Sequence, residues 1–167
     1  ALIPIRLRYV LTGFIVVVAI FLLFYRLDQF PVPWYDEGSH LHVAKNFALH
    51  GVYADSSSEG YRAFGPAVGI GPTVMLPIAA LFRLAGISIP AARLVIVIYS
   101  LVTLLAVYLL TRRFTRHNYA LLAATLLLLV PVIRYVYYSR TVVGEVPGLA
   151  FLLLGLWLGL RPGQHTF

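Results

Sequence analysis

Four uncharged apolar runs divide the chain, at residues 9–25, 94–111, 118–133 and 146–160. Each approaches the roughly 20 apolar residues that an α-helix needs to cross the hydrocarbon core of a bilayer. The segment "TRRFTRHN" separates the second run from the third, and "RYVYYSRTVVGE" separates the third from the fourth. This pattern predicts four transmembrane helices, at residues 9–26, 91–111, 118–134 and 145–160.

A fifth uncharged stretch, Ala63 to Phe82, is interrupted repeatedly by glycine and proline. Proline removes backbone donors that lipid cannot replace, so a continuous spanning helix is not expected here. A crossing at this point would also turn the arginines of residues 112–116 outward, against the positive-inside tendency. We predict an irregular loop that leads, from about Thr73, into a short helix lying at the membrane interface.

The segment between the first two predicted spans, residues 27–90, is far longer than a connection within a helix bundle requires. Its first part, "DEGSHLHVAKNFALHGVY", places Leu41, Ala44 and Phe47 at helical spacing and ends near Gly51, a candidate C-cap. The predicted fold is therefore an all-α integral membrane protein with about four transmembrane helices. Its long extracytoplasmic first loop should contain amphipathic juxtamembrane helices.

Composition supports a membrane protein, since 60% of residues are hydrophobic, only 11% are charged and the mean hydropathy is +0.88. The net charge of +7 is scattered between apolar runs, which argues against a nucleic-acid partner. The first run follows two arginines and ends in large residues, so a signal-anchor is favoured over a cleaved signal peptide. A cytoplasmic N-terminus would leave every acid outside and place these arginines inside: Arg6, Arg8, Arg112, Arg113, Arg116 and Arg161.

Adjacent acids in "PWYDEGSH", Asp36 and Glu37, are the strongest candidate for a site. Two neighbouring carboxylates need solvent or partners, so they are either the polar cap of a helix or a working site. Glu145, at the start of the fourth run, is either a first-turn acid that complements a helix dipole or a second site residue. Arg134 and Arg140 precede it among tyrosines, a combination that suits an anionic, partly lipidic, sugar-like ligand.

Three histidines, His40, His42 and His50, match no strong metal signature. A divalent cation held by carboxylate oxygens, at Asp36 and Glu145, is favoured over a metal bound by these histidines.

Four motifs, in order, complete the pattern: the apolar N-terminal run, "WYDEGSHLHVAKNFALHGVY", "GPTVMLPIAALFRLAG" and "RTVVGEVPGLAFLLLGLWLGL". Together they resemble the N-terminal portion of bacterial family 39 glycosyltransferases of the GT-C type, which are related to protein O-mannosyltransferases and lipid A aminoarabinose transferases. The resemblance implies a polyprenyl-phosphate sugar donor and, in some members, a divalent metal ion. It also implies an enzyme of the inner membrane with its active-site loops on the extracytoplasmic side.

The resemblance assigns roles residue by residue. Asp36 falls where the family's general base acts on the acceptor hydroxyl, Glu37 completes the two-acid motif, and Glu145 falls on the acid of the second outer loop. "FGPAVGIGPTVMLP" occupies the place of the loop and helix that line the donor cavity, with Gly71-Pro72-Thr73 replacing the usual HPP-type sequence.

For the departing phosphate we expect positive charge from Arg140, Arg62 or Lys45, with Tyr138 among the substrate-binding residues. We expect the 167 residues to be the N-terminal part of a longer transferase and to be inactive alone. A non-catalytic accessory subunit of a larger membrane complex is the alternative. A small transporter is weaker, because no acid lies in the middle of a predicted span.

Overall fold

The computed structural model describes residues 4–130 and 134–160 of the chain. Its elements follow in this order: α1 (Ile5–Phe24), α2 (Tyr35–His50), β1 (Asp55–Ser57), β2 (Gly60–Arg62), α3 (Pro66–Gly69), α4 (Pro72–Ala85), α5 (Ile89–Phe114), α6 (His117–Leu129), α7 (Tyr135–Tyr138) and α8 (Glu145–Gly159). The predicted helical fold is confirmed in its main features. The short antiparallel hairpin β1–β2 departs from the all-α prediction.

Two helices in the described part of the chain are long and apolar enough to cross a membrane, Arg6–Phe24 within α1 and all of α5. At 1.5 Å per residue, α6 and α8 are only about 20 Å long, shorter than the roughly 30 Å hydrocarbon core. Residues 131–133, which belong to the predicted span at 118–134, lie outside the described residues. The existence of all four spans therefore stays a prediction.

Helix α2 occupies the first part of the predicted outer loop and ends at Gly51, whose positive φ of 71° suits a glycine. Val43 and Ala44 are buried, and Leu41 and Phe47 pack against the same core. Lys45 is exposed. The helix thus turns its apolar residues towards α4 and leaves a polar edge to solvent.

Helix α4 begins at Pro72, directly after Gly71, and contains a second proline at position 77. Pro77 has no N–H to donate to the carbonyl of Thr73, four residues earlier. That carbonyl accepts a hydrogen bond from the hydroxyl of Tyr99 on α5, with an oxygen–oxygen distance of 2.7 Å. The substitute bond lets the helix pass through the proline and joins α4 to α5.

The hairpin is bound to α2 by a buried asparagine. The side-chain nitrogen of Asn46 donates to the carbonyl of Ala54 and to the hydroxyl of Ser56, both at 2.8 Å. Asp55 also lies 3.4 Å from a ring nitrogen of His42. The hairpin therefore forms a folded layer on α2.

Two hydrophobic clusters hold the fold together. The first joins α2, α3, α4 and the N-terminal half of α5, with Met75, Ile78 and Ile96 fully buried. The second joins α1, α6, α7 and α8 around Ala19, Leu128 and Val146. Helix α5 packs against α4, α6 and α8 and so connects both clusters.

Three of the predicted cytoplasmic arginines, Arg112, Arg113 and Arg116, lie where α5 ends and α6 begins, whereas Arg6 and Arg8 are on α1. Arg112 donates to the carbonyl of Thr115, and Arg113 donates to the carbonyl of Leu160 on α8. Arg161, the last member of the predicted set, lies outside the described residues. These bonds satisfy carbonyls near helix C-termini, where positive charge also complements the helix dipole.

Candidate functional site

Asp36 lies in the first turn of α2 and is exposed. The N-terminal end of a helix carries unpaired N–H groups and partial positive charge, which stabilise a carboxylate there. Within the described residues, no hydrogen bond or ion pair engages the Asp36 carboxylate. The side chain is therefore free to accept a proton or a ligand.

Its neighbour Glu37 is buried, with 1% of its surface exposed. The carboxylate faces Arg93 of α5 through two parallel contacts, Nε to Oε1 at 2.8 Å and Nη2 to Oε2 at 2.7 Å. Oε1 also accepts the backbone N–H of Val142 at 3.1 Å. The role predicted for Glu37 beside Asp36 stays a prediction, but this geometry makes Glu37 an anchor for the start of α2.

Sequence reasoning did not single out Arg93. Its side chain is fully buried on α5 and also donates to the carbonyls of Leu27 and Pro31 at 2.9 and 2.8 Å. The fork of the guanidinium matches a carboxylate bidentately, which is why arginine is preferred in such buried pairs. The available signal was an arginine within the first turn of a predicted span, which the predicted topology places on the same side of the membrane as the two adjacent acids.

The backbone of Val142 is held from both sides by α2. Glu37 accepts its N–H, and Nδ1 of His40 lies 3.0 Å from its carbonyl oxygen. These two contacts fix the start of α2 against the loop of residues 139–143. Helix α8 begins three residues later at Glu145, a distance of at most about 10 Å along the chain. Asp36 and Glu145 therefore flank the same anchored contact.

Glu145 is exposed at the first position of α8. As with Asp36, no bond engages its carboxylate within residues 4–130 and 134–160. The start of α8 favours a negative charge for the same reason as the start of α2. Two free carboxylates at two helix N-termini thus mark one end of the bundle.

Arg140 has a position that sequence reasoning did not anticipate. It is buried, and its two terminal nitrogens donate to the carbonyls of Leu22 and Tyr25 at the end of α1. Its Nε is buried without a partner among the described residues. Burial, and then the nearby charge of Arg93, lowers the pKa of Arg140 below the ordinary value for arginine. A contact between Arg140 and substrate stays a prediction. In the structure, the Arg140 side chain caps the C-terminal end of α1.

The other three candidate binding residues lie on α2, β2 and α7. Lys45 is nine residues further along α2, about 14 Å along the helix axis. Arg62 is on β2 and pairs with Asp55 at 3.7 Å. Tyr138 is half-buried on α7, with its ring 5.4 Å from that of Tyr137. Among the described residues, none of the three forms a hydrogen bond or ion pair with Asp36, and their predicted role in binding stays a prediction.

Two apolar grooves run along the helices. One, of about 550 Å³, lies between α4, α5 and α8 and includes Pro77, Tyr99 and Phe151. The other, of about 520 Å³, lies between α1, α5 and α6. Both have the size of a small-molecule site and an almost wholly apolar lining. Such grooves suit hydrocarbon chains more than sugars.

A metal site was also predicted. No group of three or more His, Cys, Asp or Glu side chains converges in the part of the chain that the structure describes. Asp36 and Glu145 offer fewer oxygens than the six to eight that calcium prefers, but Mg²⁺ commonly takes one or two carboxylates from a protein and completes its shell with water and phosphate oxygens. Metal binding at Asp36 and Glu145 stays a prediction, and the chemistry proposed for the site does not depend on it.

The fold and the site define a helical membrane protein that presents free carboxylates at one end of a bundle with apolar grooves. The profile of one protein family, described as dolichyl-phosphate-mannose-protein mannosyltransferase, matches residues 70–166. This match covers more than half of the chain, and the chain belongs to that family. The GT-C glycosyltransferase resemblance is thereby confirmed. The matched residues include Arg93, Arg140 and Glu145, whereas Asp36 and Glu37 precede them.

Comparison with curated proteins and comparison with solved structures each found no match. The family profile is therefore the finding that relates this chain to a known activity, and it supports a membrane glycosyltransferase in general terms.

Proposed function

We propose that the chain is the N-terminal module of a transferase that moves a sugar from a polyprenyl-phosphate donor to an acceptor hydroxyl on the extracytoplasmic side. Asp36 acts as the general base. The observation that carries this proposal is the contrast between two adjacent acids. The carboxylate of Glu37 binds the side chain of Arg93 and the backbone N–H of Val142. Asp36, the preceding residue, is exposed and has no partner among the described residues.

The chemistry requires a base at this place. The acceptor oxygen forms a bond to the anomeric carbon of the sugar as the bond from that carbon to the phosphate oxygen breaks. The acceptor proton passes to the carboxylate of Asp36, and the polyprenyl phosphate leaves with the electron pair of the broken bond. A positioned carboxylate contributes about 10²- to 10⁴-fold to such a proton transfer.

Glu145 supports the same assignment as a second carboxylate near the site. The contacts of Val142 with Glu37 and His40 tie the loop before α8 to the start of α2. We propose that Glu145 orients a hydroxyl of the donor sugar or of the acceptor. Any divalent ion would bind at these two acids, and comparing the rate of transfer with and without a chelator would decide whether one is needed.

The groove between α4, α5 and α8 is the proposed place of the polyprenyl chain. Its wall includes α4, which the sequence predicted to lie at the interface, and its lining is almost entirely apolar. In this proposal the groove faces the hydrocarbon, so the donor binds without leaving the membrane. Its chain is then held by van der Waals packing, because transfer from lipid to an apolar groove carries no hydrophobic driving force.

Membership of the family favours the transferase over a non-catalytic accessory subunit. An inner-membrane location with a cytoplasmic N-terminus is part of the proposal. It is supported by the arginines between α5 and α6, near which no acid lies in the sequence. Other subunits of a complex are not needed for the proposed chemistry.

The test uses the product of the whole gene, purified in detergent and reconstituted in liposomes. Transfer from a panel of polyprenyl-phosphate sugars to a hydroxyl-bearing peptide is measured for wild type, Asp36→Asn and Asp28→Asn. Asp28 is a matched control, since it is also an exposed aspartate on the same side. Asp36→Asn should lose at least about 10²-fold in rate, while Asp28→Asn keeps the wild-type rate. Equal rates for the two variants would contradict the role of Asp36.

A further inference from the structure

His40 makes one contact whose direction is fixed by chemistry. Its Nδ1 lies 3.0 Å from the carbonyl oxygen of Val142. A carbonyl oxygen only accepts hydrogen bonds, so Nδ1 must carry the hydrogen in this contact. The other ring nitrogen, Nε2, is consequently the one left to contact a ligand.

His40 also lies on the Asp36 side of α2. Residues four apart in a helix are neighbours on its surface, with Cβ atoms about 5–6 Å apart. His40 is half-buried, and among the described residues its ring makes one hydrogen bond, through Nδ1. Asp36 and the unengaged Nε2 of His40 therefore belong to neighbouring positions on one side of α2.

The departing phosphate needs a proton or a positive charge, and the cations near the site are engaged. Arg93 binds Glu37 and two carbonyls, and Arg140 caps α1. Lys45 and Arg62 lie further along α2 and on the hairpin. On the Asp36 side of α2, His40 offers a ring nitrogen, Nε2, that no contact among the described residues engages, and imidazole is a common proton donor in catalysis.

We propose that His40 is the general acid of the transfer, paired with Asp36 as the general base; this inference rests on the proposed function. As the bond between the sugar and the phosphate oxygen breaks, Nε2–H of protonated His40 gives its proton to that oxygen. The acceptor proton passes to Asp36 in the same step. Asp36 then releases its proton to water and His40 takes one up, so no proton is consumed over the cycle.

The remaining charged groups around His40 are bound elsewhere or belong to the site. Helix α3 contains no charged residue. The charged groups on the segments that contact α2 are Arg93 of α5, Arg140 of the 139–143 loop, Arg83 of α4 and Asp55 of β1, and Glu145 lies three residues beyond Val142. Arg83 binds carbonyls at the end of α2, and Asp55 binds His42 and Arg62. On α2 itself Glu37 is paired with Arg93, which leaves Asp36 and Glu145 as the free charges at this end.

Two substitutions of His40 test its two ring nitrogens separately, Nε2 as the proton donor and Nδ1 as the contact with Val142. In His40→Asn the side-chain nitrogen lies the same number of bonds from the backbone as Nδ1, so the contact with Val142 is kept and Nε2 is lost. In His40→Gln a nitrogen lies near the place of Nε2, but the donor to Val142 is lost. His42→Asn is the matched control, because His42 is on the same helix and binds Asp55 instead.

The experiment measures rate against pH and thermal stability for the whole-gene product, with the same panel of polyprenyl-phosphate sugars. His40→Asn should keep the wild-type Tm, lose about 10²-fold in kcat and lose the alkaline limb of the pH profile. His40→Gln should lower Tm and also lack that limb. His42→Asn should match wild type in rate and pH profile.

Each outcome decides the proposal. If His40→Asn keeps the wild-type rate and pH profile while His40→Gln has a lower Tm, His40 is a structural anchor only and the inference is overturned. The proposed function still stands in that case, provided that Asp36→Asn is inactive. Absence of transfer by the wild-type protein with every donor would overturn the proposed function and this inference together. Loss of the alkaline limb in His40→Asn, with the limb kept in His42→Asn, supports the acid–base pair.

Discussion

Glu37 and Arg93 are 56 positions apart in the sequence and meet through two parallel hydrogen bonds in the protein interior. Removing one member of a buried ion pair leaves an uncompensated charge, which costs about 3–5 kcal/mol. We expect Arg93→Ala to lower the free energy of unfolding by about this amount, measured by denaturant unfolding in detergent. Arg116→Ala, at an exposed arginine, should have little effect.

The same pair offers a sharper control. Replacing both partners by apolar residues of similar size is often neutral or stabilising. The double variant Glu37→Leu with Arg93→Met should therefore be more stable than Arg93→Ala. A double variant that is no more stable than the single one would show that the ion pair does more than neutralise its own charges.

Tyr99 and Pro77 should be energetically coupled through the carbonyl of Thr73. Tyr99→Phe removes the hydrogen bond to that carbonyl and should cost about 1 kcal/mol of unfolding free energy. In a Pro77→Ala background the new N–H of residue 77 can bind the carbonyl, so the same change should cost less. A thermal-unfolding double-mutant cycle measures the difference, and Tyr119→Phe, at an exposed tyrosine, serves as the control.

The hairpin should be released when Asn46 is changed. Its side chain supplies two hydrogen bonds at 2.8 Å to Ala54 and Ser56, and it is buried. We expect Asn46→Ala to cost about 1–3 kcal/mol and to speed proteolysis within residues 55–62. Lys45→Ala, at the exposed neighbouring position, should leave the cleavage rate unchanged. Equal cleavage rates in the two variants would contradict the anchoring role of Asn46.

Tyr53 should make stability fall at alkaline pH. Its hydroxyl is buried without a partner among the described residues, and burial raises its pKa above the ordinary 10.0. The folded chain favours the neutral phenol, so the contribution of Tyr53 to stability is complete below pH 10. That contribution is lost as the pH rises through the higher pKa of the folded state.

Tyr53→Phe removes both the unsatisfied hydroxyl and this titration. We expect the variant to be about 1 kcal/mol more stable at neutral pH and to lose less stability above pH 10 than wild type. Unfolding curves recorded between pH 8 and pH 11 would measure both effects, with Tyr61→Phe as an exposed control. A steeper alkaline loss of stability in Tyr53→Phe than in wild type would contradict a raised pKa for Tyr53.

The helices could be predicted because local features of the sequence mark them: long apolar runs indicate helices, and Gly51 indicates the end of one. The α2 boundary at Gly51 and the start of α4 near Thr73 follow from such signals. The hairpin was not predicted, because it depends on Asn46, whose burial is a property of the folded chain. Helix α1 begins at Ile5, before the predicted boundary, since arginines near a helix end do not interrupt the backbone pattern.

The sequence singled out Asp36 and Glu37 together but did not indicate that one would be exposed and the other buried. Asp36 and Glu37 are adjacent and chemically alike, and a rotation of about 100° per residue sends one outward and the other towards Arg93. Arg93 and Arg140 are buried by partners far away in the sequence. From sequence alone, an arginine at the end of an apolar run is expected to be exposed to solvent. The burial of Arg93 and Arg140 becomes visible only from their tertiary contacts.

The peptide group of Val142 has a mechanical consequence. Because α2 binds both its N–H and its carbonyl, the start of α2 and the loop that leads into α8 form one rigid unit. Any motion that admits a substrate must then move Asp36 and Glu145 together. The entrance has to open along a different boundary, and the distance between the two acids should stay constant through the catalytic cycle.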